Sequence, residues 1–529
     1  MKNILADKIP LKASLIFIAF TLLTYMIVLL VNSGQFVYVL DDPYIHMTIA
    51  KHLAFDGKWA MNQMDFSSAA SSPLWSLLIA GVYIVTGANI YIPLILNILF
   101  SIAAIYAVYG LLQKSGITKY SFALLLIFIF AAPLPVLVFT GMEHILQILL
   151  VILFAAHFAR ITTAEKNTAP DIIYTFLLGM LLTAVRYEDV FLLSIAAQIL
   201  LFKKKYTAVF VLMLGAAMPV LIYGYVSVSN GWLFVPNPLL VKFGAPGTDV
   251  ISLLKILPRA AKRMLEPDLV FFLPALLTAV WFMLKKKDYL KNPASVLLLL
   301  FSGSYLLHMM FAQTGWFYRY EAYLVSLAIP VLVIDLHKRI TASGGYDKLI
   351  PQAMYRYRKF IYAVMILSLG VRIAPDVLIP LASNNIYEQH FQMAKFISEN
   401  LPGKTIAAND IGIISYYTNS RIVDLWGLAD IDAGRKKIAG TYNTAAIDEL
   451  TKKYNAELVI VYEHWFDQYG GLPRSWKKIG SWEMTRPNLV CGTTAVDFYA
   501  PNPNDAIMLA ERLQKFSASL PSSVKYIQH

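Results

Sequence analysis

Two adjacent carboxylates, Asp41 and Asp42, stand directly after the first long apolar stretch, within Asp41-Asp42-Pro43-Tyr44. Such a pair can take a proton from a hydroxyl nucleophile or hold a divalent cation, Mg or Mn, so both are catalytic candidates and together a candidate metal position. No other cofactor is implied. Asp42-Pro43 also reads as a helix start, Asp at the N-cap and Pro at N1, before Ile45, Ile49 and Leu53 at helical spacing. That reading leaves Asp41 without a structural duty.

Further polar groups recur at the ends of apolar stretches: Glu143 with His144, Arg186-Tyr187-Glu188-Asp189, Asn237 with Lys242, and Arg319-Tyr320-Glu321. Ionisable residues at membrane depth are costly and mark sites. Lys242 and Arg319, close in sequence to Trp232, Trp316, Phe317 and Tyr318, suit a phosphate held at headgroup level, and Arg186 is a third candidate. Each group also has a plain structural role open to it. Glu143 can be a helix N-terminal charge, Arg186 can pair with Glu188 or Asp189, and Lys242 and Arg319 can be snorkelling anchors in an aromatic belt.

The elements that must position these residues are membrane spans. With 58% hydrophobic and 15% charged residues and a mean hydropathy of +0.58, the chain is a polytopic α-helical membrane protein in contact with a lipid bilayer. Ala13 to Val31 is long enough to cross ~30 Å of hydrocarbon and follows Lys2, Lys8 and Lys12, so it reads as an uncleaved anchor with a cytoplasmic N-terminus. Ten further apolar segments up to Leu381 give about 11 transmembrane helices. Pro73 to Val85 is the ambiguous one. Counting it as an interfacial dip keeps the basic clusters Lys203 to Lys205, Lys285 to Lys287 and Lys338-Arg339 on the cytoplasmic side. The exception is the longer stretch from Ser229 to Pro267, which carries Lys242, Lys255, Arg259, Lys262 and Arg263 outside. Much of the net charge of +12 is then cytoplasmic anchoring, and a nucleic-acid partner has no support. Cys491 is the only cysteine, which rules out an intramolecular disulfide and a thiolate metal cage.

After Leu381 helix-like and strand-like segments alternate: a helix to Asn400, strands at Thr405 to Ala408, Arg421 to Leu425 and Leu458 to Tyr462, then strands within Lys477 to Tyr499 and a last helix to Phe516. This predicts a helical domain over 1–381, with a first outer loop over 32–89, and an extracytoplasmic α/β domain over 382–529.

A carboxylate, phosphate-binding cations and a bilayer fit one chemistry: attack of an acceptor hydroxyl on the anomeric carbon of a sugar carried on a lipid phosphate. Neither GxGxxG nor a phosphate-binding loop of the GxxxxGK type is present, so no soluble nucleotide donor is indicated. The order of motifs resembles a known family. Asp41-Asp42-Pro43-Tyr44-Ile45, Asn62, Ser71-Ser72-Pro73-Leu74-Trp75, Thr140-Gly141-Met142-Glu143, Arg186-Tyr187-Glu188, Val235-Pro236-Asn237-Pro238 with Lys242, and Phe317-Tyr318-Arg319-Tyr320 are similar to bacterial GT-C glycosyltransferases that use polyprenyl-phosphate sugars. Asn409-Asp410-Ile411-Gly412 and Val423-Asp424-Leu425-Trp426 look like the extracytoplasmic domain of arabinofuranosyl- and mannosyl-transferase-like members.

The resemblance implies a GT-C-like fold in a bacterial inner (plasma) membrane, with juxtamembrane helices in the first outer loop. It also implies a polyprenyl-phosphate sugar donor and an extracytoplasmic glycan, lipid or protein acceptor. Asp41 is then the expected base, Lys242, Arg319 and Arg186 the donor phosphate contacts, and Glu143, His46, Tyr320, Glu321 and Asn237 the substrate contacts. Relatives carry Arg where this chain offers Lys51 or His46, and proline where it has Tyr187. A transporter or flippase of lipid-linked saccharides is the alternative, and a non-catalytic scaffold a third.

Overall fold

The computed structural model describes residues 7–62, 65–243, 255–267, 269–285, 289–344 and 352–529. Lys2, Lys286 and Lys287 lie outside the described residues, as do the side chains of Lys242 and Lys285.

Among the described residues seven helical stretches are long and apolar enough to cross a membrane: Lys8–Val31, Ile92–Lys114, Ser121–Thr140, His144–Thr163, Tyr206–Ser229, Pro293–Phe311 and Ile366–Asn400. The remaining four of the expected eleven fall short for identifiable reasons. Ala169–Val185, Val190–Phe202 and Leu273–Lys285 have 17, 13 and 13 residues, and Ala322–Ser343 ends in Asp335, His337, Lys338 and Arg339. The outward side chains of the spanning helices are apolar, with Leu23, Leu30, Phe210 and Tyr225 all more than 60% exposed. Such a surface is stable only against lipid or protein.

Pro73–Thr86 is a helix of 14 residues, begun by Ser72, whose hydroxyl accepts from the Trp75 amide, and by Pro73 in the first turn. At 1.5 Å per residue it spans about 21 Å, too short to cross ~30 Å of hydrocarbon. It packs beside the Asp42–Asp56 helix, which is likewise short.

The C-terminal region contains a six-stranded sheet of order β2-β1-β3-β5-β4-β6, with β1 Thr405–Ala408, β2 Arg421–Asp424, β3 Leu458–Val461, β4 Lys477–Met484, β5 Ala495–Ala500 and β6 Val524–Ile527. The first three strands are parallel and the last three pair antiparallel. β3 is buried along its whole length, as a central strand covered on both faces must be. The helix Gln352–Ile386 runs without a break through a π-turn at Tyr387–Phe391 into Gln392–Asn400, and so carries the chain from the spans directly into the sheet region.

Candidate active site

Asp41 is positioned by the buried segment before it. The Val39 amide donates to the Phe139 carbonyl at 3.1 Å, the Tyr38 amide donates to the Tyr44 hydroxyl at 3.1 Å, and the Tyr38 hydroxyl donates to the Ile90 carbonyl at 2.6 Å. Gly141, at φ +66°, lets this segment lie close, because a Cβ there would sit 2.8 Å from the Tyr38 ring.

The two aspartates then diverge. Asp41 precedes the Asp42–Asp56 helix but caps a different one: the Gly412 amide donates to its Oδ2 at 2.6 Å and the Ile413 amide to its Oδ1 at 2.8 Å, at the start of the Gly412–Tyr417 helix. Gly412 is required for this approach, since a Cβ would lie 2.2 Å from the Asp41 carbonyl oxygen. Asp42 is the first helical residue, and its carboxylate is directed to the Arg319 guanidinium at 2.6 Å. The expected N-cap role of Asp42 is therefore not what its side chain does here.

Arg319 follows an unusual turn. Gly315, Trp316, Phe317 and Tyr318 have φ of 84°, 49°, 61° and 54°, and a left-handed conformation costs roughly 1–2 kcal/mol for each non-glycine residue. The surroundings hold the turn in place. The Gly315 amide donates to Glu321 at 2.9 Å, and the buried Arg372 lies 3.6 Å from Glu321 with its guanidinium 4.6 Å from the centre of the Tyr318 ring. Such strain concentrates at functional sites. It delivers Arg319 to the Tyr320 ring face at 4.9 Å, with Nε and Nη1 buried and without a hydrogen-bond partner among the described residues.

Asp41, Asp42, Arg319 and Tyr320 share a cavity of about 360 Å³ between the helical and sheet regions. The sheet region contributes Asn409, Asp410, Trp426 and Trp465, and the helical region adds Arg263 and Trp316. His390 enters from the π-turn, an irregularity that recurs at functional sites, and its Nε2 lies 3.2 Å from Asp410 Oδ2 and 3.0 Å from the Tyr462 hydroxyl. Burial pushes the Asp41 carboxyl up to about 6; the Asp410 charge adds to this, while His390 and the two amides oppose it.

Arg186 touches a small annex that also includes Asp42, Arg319 and Tyr320. Its nitrogens face Glu143 at 2.7 Å and Glu188 at 2.5 and 3.1 Å. Glu143 and His46 belong to the same buried cluster, 3.9 Å apart, with the His46 ring nitrogens on Ser76 and Ser71. This cluster joins the start of the His144–Thr163 helix to the Asp42–Asp56 and Pro73–Thr86 helices and does not line the main cavity. Glu321 supports the left-handed turn from behind. Asn237 clamps the sheet region, its Nδ2 donating to the Gly427 carbonyl at 3.1 Å. Lys242 is on the Asn237–Phe243 helix, and its side chain lies outside the described residues.

The aspartate pair does not fit a protein-ligated cation. Asp42 faces a guanidinium, and among the described residues no three His, Cys, Asp or Glu side chains converge. Sequence reasoning missed His390, Asp410 and Trp465 as site residues, while Arg263 belonged to the outer basic stretch read from the sequence. Asp410, just past a predicted strand end and beside Gly412, carried the one usable signal.

Residues 384–499 match a family described as a domain of unknown function (DUF8728). No curated protein sequence matches the chain. Among solved structures, ArnT from Cupriavidus metallidurans bound to undecaprenyl phosphate superposes with a TM-score of 0.51 at 12% identity, covering 92% of this chain and 98% of ArnT. The chain shares the fold of ArnT. The archaeal oligosaccharyltransferase AglB from Archaeoglobus fulgidus, in complex with an inhibitory peptide and a dolichol-phosphate, gives 0.49 at 11% identity, covering 92% and 74%. The ArnT likeness covers 92% of the chain and so extends over the helical and sheet regions together.

Proposed function

We propose that this protein is a membrane glycosyltransferase that moves one sugar from a polyprenyl-phosphate donor to an extracytoplasmic acceptor. The observation that carries this reading is Arg319, a buried cation with two donor nitrogens unpartnered among the described residues, in a cavity that also holds Asp41, in a chain with the fold of a protein solved with undecaprenyl phosphate.

In this reading Arg319 receives the lipid phosphate on Nε and Nη1, while Asp42 fixes its orientation and Tyr320 shields one face of it. Arg186, tied to Glu143 and Glu188, braces the annex beside Arg319. The acceptor hydroxyl oxygen forms a bond to the anomeric carbon as the bond from that carbon to the phosphate oxygen breaks. The hydroxyl proton passes to Asp41, and the phosphate leaves on its lipid, its charge met by Arg319. Asp41 retains unused lone pairs beyond the two amide contacts, and a carboxyl at about 6 is ionised near neutral pH yet basic enough to help. The sheet region faces the extracytoplasmic side, the N-terminus is cytoplasmic, and the setting is a bacterial inner membrane.

The test is reconstitution of the purified chain with a panel of undecaprenyl-phosphate sugars, followed by mass spectrometry for sugar-modified acceptor and released undecaprenyl phosphate. Absence of release from every donor, with the surface glycans of cells lacking the protein unchanged, would remove the reading. Cysteines placed after Leu381 should react with an impermeant thiol reagent in intact cells, and protection there would invert the orientation.

A further inference from the structure

The sheet-side wall of the cavity is not used by the donor chemistry. Asn409 and Asp410 follow β1, Trp426 follows β2 and Trp465 follows β3. Because β2, β1 and β3 are adjacent and parallel, these residues all stand at the carboxyl ends of their strands, where open α/β sheets hold ligands.

The side chains there are of two kinds. Trp426 and Trp465 are half-buried, with ring centres 4.8 Å apart. Lys437 lies 3.2 Å from the centre of the Trp426 ring and fixes it in place. Asn409 is only 3% exposed; its Oδ1 accepts from the Tyr462 amide at 3.1 Å, and its Nδ2 is buried with no partner among the described residues. Asp410 is held on one oxygen by His390 and keeps the other as an acceptor. Flat aromatic surface, one spare donor and one acceptor around a single space match a sugar ring, with its apolar C–H faces and its rim of hydroxyls.

We infer that this wall is an acceptor subsite and that the acceptor is a saccharide, an assignment that rests on the transferase reading for the word acceptor. Trp426 and Trp465 take the ring faces, the Asn409 amide donates to one hydroxyl, and Asp410 accepts from another. A peptide acceptor fits less well. Extended peptides add to sheet edges, and at the β2 edge Asn62 already occupies both backbone groups of Ile422, at 2.9 and 3.0 Å. An acyl chain would be opposed by the buried Asn409 amide and the half-buried Asp410 carboxylate.

The experiment uses the purified full chain in detergent micelles on an array of bacterial surface oligosaccharides printed beside peptides, with undecaprenyl phosphate binding measured separately. The wild type should retain a subset of the glycans and no peptides. Trp465→Ala and Asn409→Ala should each weaken glycan binding by about tenfold, Trp465→Phe should largely restore it, and all three should still bind undecaprenyl phosphate. The inference is overturned if no glycan is retained, if peptides are retained instead, or if both Ala variants bind glycans as the wild type does. Glycan binding that depends on Trp465 and Asn409, without any undecaprenyl phosphate binding, would uphold the saccharide site and sink the donor reading alone.

Discussion

On the helical side of the cavity Arg319 meets Asp42 at 2.6 Å after a left-handed turn, and every fixed point is a charge or a strained backbone. On the sheet side the fixed points are strand ends, with Asn409, Trp426 and Trp465 set by the register of three parallel strands and by main-chain hydrogen bonds. The first wall is built to meet an anion, because buried cations with spare donors gain most where water is excluded. The second is nearly neutral and built to meet a surface. Asp41 lies at the seam, carried by the helical region but held by amides of the sheet region. This contrast teaches that the proposed base is only as well placed as the docking of the two regions.

The largest effect should come from the seam itself. Asp41→Asn keeps its size and much of its hydrogen bonding but cannot take a proton, so sugar transfer should fall by about 10² to 10⁴ with the protein still inserted. In the wild type the active form is the ionised one. Because Asp41 titrates at about 6, kcat/KM should be level above that pH and fall about tenfold per unit below it. A flat profile through pH 6, or wild-type turnover in Asp41→Asn, would move the base elsewhere. If Asp42→Asn were the inactive variant instead, the roles of the pair would be exchanged.

Gly412→Ala tests the docking through the seat of Asp41 while leaving the aspartate itself in the chain. Its Cβ would press on the Asp41 carbonyl, and a displacement of about 1 Å at a reacting centre costs on the order of 10²-fold in rate. The expected signature is a drop in kcat with undecaprenyl phosphate binding retained. Unchanged kcat would show that the amides do not set the position of Asp41.

The anion wall should respond more modestly. Arg319→Ala removes charge-assisted contacts worth roughly 1.5–3 kcal/mol, so donor use should weaken about tenfold or more, and Arg319→Lys should recover only part because a point charge cannot replace the planar fork. Donor kinetics that ignore this residue would reduce it to a structural partner of Asp42.

The smallest effect is expected behind the aromatic wall. Burial lowers Lys437 to about 7, against the pull of Asp424. Between pH 7 and about 10 the unfolded chain binds a proton there that the folded chain does not, so stability should rise across this window. Lys437→Met should flatten that rise in melting followed by tryptophan fluorescence. An identical slope in the variant would show that Lys437 titrates normally.

Composition and apolar runs determined that the chain is a membrane protein, because burying that much apolar surface in water has no solution for a single chain of this kind. The strand and helix pattern after Leu381 was also legible. The Arg421 and Leu458 strands appear within a residue or two of their expected ends, since local periodicity and breakers decide them. Asp41, Asp42, Arg319 and Tyr320 could be picked out as ionisable or polar groups at span ends, and the fold does gather them around one cavity. Only the tertiary structure decided which of these groups are spent on one another. Glu143, Arg186 and His46 are separated by tens of residues and meet in one buried cluster, where Arg186 pairs with Glu143. Asn62, Asn237 and Gly412, present as motif letters, turn out to clamp one region to the other. The same is true of the partner that distinguishes Asp41 from Asp42, which is a helix end 371 residues away in one case and a guanidinium 277 away in the other. Pairings of that range have no local signal, because side-chain type fixes what a group can bind and only the packing of distant elements fixes what it meets.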